Sequence, residues 1–160
     1  MDVLSPSRPL FGGETPAEVS ALLARAMECY ANTQIAETLL WQAHRLAPEA
    51  LPVYFSLYKF YFYKRNLENA ELAARMGLLA AATAGGFDPD WQNLRVDSTD
   101  WSDYANPAHF YLFTLKALAF IRLRCGDADE SLRILNKMAE LDPRDSVGAS
   151  VIRAIAEGVV

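Results

Sequence analysis

The chain has 160 residues, 52% of them apolar and 22% charged, enough to bury one sizeable core; wholesale disorder and collagen-like or coiled-coil compositions are excluded. Fifteen basic against 20 acidic side chains leave a net charge of −5, which excludes a nucleic-acid binder working through bulk attraction. No uncharged stretch is longer than the 12 residues of Met76 to Phe87, too few to span a bilayer.

Residues 1–14 read as a flexible N-terminal tail. Ser5-Pro6-Ser7-Arg8-Pro9 and Gly12-Gly13 disfavour helix and strand alike, and no basic start followed by an apolar run marks a signal peptide. A single helical domain is expected over 15–160. Thr15, Pro16 and Glu18 spell a capping box with proline in the first turn. Behind it Ala17 to Tyr30 carries Val19, Leu22, Leu23, Ala26 and Met27 on one face. Asn32-Thr33 caps a second helix that Pro48 ends. Leu51 to Tyr63 and Leu67 to Thr83 follow, interrupted at Lys64-Arg65-Asn66 and stopped by Gly85-Gly86. Asn106-Pro107 opens a helix to Arg124. Cys125-Gly126-Asp127 makes the turn into Glu130 to Leu141, and Asp142-Pro143 precedes a last helix from about Ser146 to Glu157.

The pattern has a period. With Pro48 and Pro143 equated as helix stops, Ala17–Ala50, Leu51–Ala84 and Leu112–Asp145 are units of 34 residues. In that register Ala36, Ala70 and Ser131 coincide, as do Ala43, Gly77 and Met138. Small residues recur where two helices must cross closely, as stacked helical hairpins require. The stretch Leu115-Lys116-Ala117-Leu118-Ala119, then Cys125-Gly126-Asp127-Ala128-Asp129-Glu130-Ser131, then Met138-Ala139-Glu140-Leu141-Asp142-Pro143 resembles the tetratricopeptide repeat. The resemblance implies an all-α fold: a right-handed solenoid of three antiparallel helix pairs plus a C-terminal capping helix, working in protein–protein recognition. Leu115 and Arg122 stand where that family has aromatics. Arg25 and Lys59 stand where its chaperone-tail receptors have the clamp asparagine, so that subclass is not implied.

Residues 85–111 fall outside the period. Asp88, Asp90, Asp97, Asp100 and Asp103 against Arg95 give this insertion a charge of −4, and Trp91, Trp101 and Tyr104 lie among the carboxylates. Such bulky rings favour an ordered crossing loop, with one short helix after Asp88-Pro89. Seven aromatics crowd Tyr54 to Tyr63. The period assigns Tyr54, Leu57, Tyr58 and Tyr61 to the interior. It turns Phe55, Lys59, Phe62 and Tyr63 to the concave face, with Arg25 from the first unit and Phe113, Lys116, Phe120 and Arg124 from the third. A strand over Tyr54–Tyr63 is the competing local reading.

These expectations converge on a non-enzymatic adaptor or chaperone-like protein that holds a partner peptide in an aromatic, basic groove. The alternative is a scaffold or assembly subunit, an accessory of a multi-component bacterial system such as secretion or nitrogen fixation. There the groove is filled by the insertion or the last helix, and the protein works through its outer face or a homodimer. The last helix, apolar at Val147, Val151, Ile152, Ala154, Ile155 and Val159, either packs inward or makes that homodimer. No nucleic acid, membrane, metal or cofactor is expected. His44, His109, Cys29 and Cys125 never fall within five residues of one another, whereas structural zinc sites use a close pair. No phosphate-cradling glycine loop or nucleophile motif is present. Two cysteines 96 residues apart suit a reducing cytoplasm.

Overall fold

The computed structural model describes residues 2–5 and 15–158. Among the described residues the fold is all-helical and strand-free: α1 (Ala17–Glu28), α2 (Thr33–Leu46), α3 (Leu51–Tyr63), α4 (Leu67–Gly85), α5 (Pro107–Arg124), α6 (Ala128–Leu141) and α7 (Ala149–Ala156). Each helix packs on its neighbour in the chain, and α5 additionally meets α3 and α7. Among the described residues no helix is long and apolar enough to cross a membrane.

Local chemistry sets most helix starts. The side chains of Asn32, Asn66, Asn106 and Asp127 accept the amides of Ile35, Asn69, Ala108 and Glu130, covering backbone donors that the first turn leaves open. The capping box expected at Thr15 and Glu18 does not form. Pro16 occupies the cap position with no side-chain bond, and its carbonyl takes the amides of Val19 and Ser20. At the other end of α4, Gly86 adopts φ +74°, a left-handed cap that glycine enters without steric cost.

The recurring small residues sit where helices cross. Ala36, Ala70 and Ser131 are fully buried, and the Ser131 hydroxyl donates to the Ala119 carbonyl at 2.7 Å. A Cβ at Gly77 would stand 3.0 Å from Cβ of Tyr54, so glycine is what lets α4 approach α3. Along α5 every residue from Ala108 to Ile121 is buried, because α3, α4, α6 and α7 surround it. Met27, expected on the inward face of α1, is instead 65% exposed: α1 has only α2 and the start of the groove beside it.

The insertion is ordered. The expected short helix is a 3-10 turn, Trp91–Asn93, followed by another at Val96–Ser98. Trp91 and Trp101 are buried. The Trp101 indole donates to the Arg95 carbonyl at 2.9 Å and its ring packs edge-on against Phe87. Tyr111 donates to the Pro89 carbonyl at 2.7 Å, and Lys137 Nζ to the Leu94 carbonyl at 2.8 Å. The loop is thereby fastened to the start of α5 and the flank of α6, and the groove beside α3 is left to other segments. The last helix begins at Ala149, three residues later than expected, because Asp142 caps a turn through the Ser146 amide. Val147 and Ile152 are buried, and Ile155 packs on the core; Val159 lies outside the described residues.

Candidate interaction groove

The ten residues Tyr54 to Tyr63 are helical throughout, so the strand alternative falls. Tyr54, Leu57, Tyr58 and Tyr61 are buried as the period requires, and Phe60 is buried with them. Phe60 was not foreseen as interior: Tyr30 covers it edge-on at 5.9 Å, with the Lys64 ammonium 3.9 Å from the centre of the Tyr30 ring. The opposite face of α3 meets α5 ring to ring. Phe55 lies 6.0 Å from Phe113, and Phe62 lies 5.1 Å from Phe120.

This face is not an open trough. Phe113, Lys116 and Phe120 keep 3%, 7% and 7% of their surface. Lys116 donates to the Val147 carbonyl at 2.7 Å and lies 4.5 Å from the centre of the Phe113 ring. Burial lowers its pKa, with only the more distant Asp145 and Asp2 opposing. The segment ahead of α7 therefore closes one side of the groove. Arg25 and Arg124 stand exposed and line neither of the cavities described below. Trp91 and Trp101 belong to the insertion's own core, and Tyr104 stacks edge-on with His109 at 4.6 Å.

Residues 2–5, expected to be part of a flexible tail, occupy the middle of the groove. They form a tight turn in which the amide of Leu4 donates to Oδ1 of Asp2 at 3.1 Å. Leu4 is fully buried in the core. Lys59 donates to the Ser5 hydroxyl at 2.9 Å and pairs with the Asp2 carboxylate at 3.5 Å, which also accepts the Tyr63 hydroxyl. Desolvation works to raise the Asp2 pKa, but hydrogen bonds from Ser5, Tyr63 and the Leu4 amide, with the charge of Lys59, bring it down to about 2. The docked turn thus keeps its charge at neutral pH. The sequence signal was slight: one acidic residue and two apolar ones ahead of Ser5-Pro6.

Two cavities flank the turn. One, about 270 Å³, is lined by Asp2, Val3 and Ser5 together with Tyr104, His109, Lys116 and the chain from Asp145 to Gly148. The other, about 460 Å³, lies between α1 and α3 and is lined by Met27, Tyr30, Phe55, Lys59, Phe60 and Tyr63. Its walls are almost wholly apolar, with the Lys59 stem and the Tyr63 ring at the edge shared with the turn. Among the described residues no three His, Cys, Asp or Glu side chains gather as metal ligands.

With this geometry in place, the chain compares with one bacterial protein in particular. A protein of Azotobacter chroococcum mcd 1, bearing the name uncharacterized 19.8 kDa protein in nifW 5′ region, is 29% identical over 150 residues. The match covers 91% of this chain and 82% of that protein. No family profile matches the chain, and no solved structure does.

Proposed function

We propose that the protein is a non-enzymatic interaction module, a small adaptor similar in build to tetratricopeptide proteins. In this reading α1 with α2, α3 with α4 and α5 with α6 are three stacked hairpins, α7 closes the end, and a partner segment docks on the face shared by α1, α3 and α5. The observation that carries it is the apolar cavity of about 460 Å³ between α1 and α3, with Lys59 at its rim. Apolar residues of a peptide would fill the cavity while its carboxylates meet Lys59. Pockets of this kind, lined by rings and closed to water when filled, supply most of the energy of an interface. Met27, exposed at the cavity mouth, has the adaptable side chain that binding surfaces favour. The name of the Azotobacter relative, which places its gene region beside nifW, supports extending the reading to an accessory of a multi-component bacterial system such as nitrogen fixation.

Affinity capture from the native host tests it with Met27→Glu and Lys59→Glu beside the parent protein. Partners retained by the parent should be lost by both variants, with helicity by circular dichroism unchanged. Equal retention would put the contact elsewhere. The burial of Phe113, Lys116 and Phe120 beneath the chain's own residues favours a second reading, an assembly subunit acting through its outer face. In that case Leu72→Glu, on the exposed side of α4, should release the partners that the groove variants keep.

A further inference from the structure

Resting on the groove reading, we propose that Asp2–Ser5 is an exchangeable internal ligand: a partner peptide presenting a carboxylate two residues ahead of a leucine takes the same seat and displaces it. Three observations carry this. The turn satisfies its own backbone, with the Ser5 amide on the Asp2 carbonyl and the Leu4 amide on the Asp2 side chain. The bonds that fasten it come from the ends of two α3 side chains, Lys59 Nζ and the Tyr63 hydroxyl. Nothing in that recognition requires the ligand to be covalently part of this chain. A foreign aspartate or glutamate would offer Lys59 and Tyr63 the same oxygens, and a foreign leucine would fill the volume that Leu4 fills.

The turn also sits beside further space. The cavity lined by Phe113 and Lys116 has Asp2, Val3 and Ser5 as one wall. The cavity between α1 and α3 is lined by Lys59 and Tyr63, the two residues that grip Asp2. A longer peptide seated on Lys59 and Tyr63 can extend into either space, and so gain more surface than the four residues it replaces. An acidic, leucine-bearing partner fits the cation at the rim and the rings on the floor.

The test uses the full chain and a fluorescein-labelled peptide with Asp-Val-Leu-Ser between glycine spacers, read by anisotropy. Freeing the seat by Leu4→Asp removes an intramolecular competitor, so peptide binding should tighten roughly tenfold. A peptide with alanine in place of its leucine should not bind, and adding Lys59→Glu to the Leu4→Asp chain should abolish binding. Asp2→Lys, which leaves Leu4 intact, should give an intermediate gain and serves if Leu4→Asp unfolds. Equal affinity for the parent and the freed chain, no binding to either freed variant, or binding that survives Lys59→Glu would overturn the proposal. Loss of native partners with Met27→Glu in the same preparations would then leave the groove reading standing without exchange. Peptide exchange with native partners unaffected by Met27→Glu and Lys59→Glu would strike the groove reading instead.

Discussion

At the end of α5 a single guanidinium holds three carboxylates. Arg122 reaches Glu71 on α4 at 2.7 Å, Asp127 in the following turn at 2.9 Å and Glu130 on α6 at 2.7 Å. Arg75 adds a second cation, 2.9 Å from Glu71 and 3.2 Å from Glu130. The hydrogen bond to Asp127 leads in raising the Arg122 pKa, against a smaller desolvation. The guanidinium ties α4, α5 and α6 together by charge. Removing the cation leaves Arg75 alone to offset three carboxylates in a partly sheltered site, so Arg122→Met should cost about 1 kcal/mol in urea unfolding. The loss should shrink in 1 M salt, since the network is partly exposed. A change within experimental error would mean that solvent already compensates these charges.

Between α2 and α3 the contact is an aromatic seam. The Trp41 indole donates to the Tyr61 hydroxyl at 2.7 Å, which donates to Glu37 at 2.6 Å. His44 lies edge-on between Trp41 and Tyr54, with ring centres 5.3 and 5.4 Å away. Desolvation lowers the His44 pKa from its ordinary value. The unfolded chain therefore takes the proton first as pH falls, so this contribution to stability is complete above about pH 6.5 and is lost below it. The urea midpoint should decline between pH 6.5 and 5, and His44→Gln should flatten that decline. An identical slope in the variant would assign the acid sensitivity to carboxylates. Element boundaries were legible wherever a capping side chain or a proline announced them, as at Asn32, Asn106 and Asp127. The start of α1 at Ala17 was legible although its capping box did not form, and the start of the last helix was misplaced by three residues, where the turn capped by Asp142 chose it. The fate of the aromatic face of α3 was legible only in half. A 34-residue period says which rings point inward, but not which distant segment will lie over the rest.

Across the molecule the burial is uneven. α5 is enclosed from Ala108 to Ile121, whereas α1 has α2 along one side and an open cavity along the other. Native-state hydrogen exchange should therefore show the α5 amides opening only with global unfolding, and the amides of Val3, Leu4 and Ser5 exchanging orders of magnitude faster. Exchange of α5 as rapid as that of α7 would contradict this ranking. The period turned Phe113, Lys116 and Phe120 of α5 to a concave face and gave no sign that the helix would be enclosed on every side. The seat of Leu4 was equally unmarked, because a contact between residue 4 and helices more than fifty residues away leaves no local periodicity to read.

That separation carries a consequence for biosynthesis. Leu4 leaves the ribosome long before Phe113 and Lys116, the far wall of the cavity beside it. At elongation speeds of about 5–20 residues per second the interval is on the order of ten seconds. Throughout it the leucine lacks the far wall of its site and stays accessible.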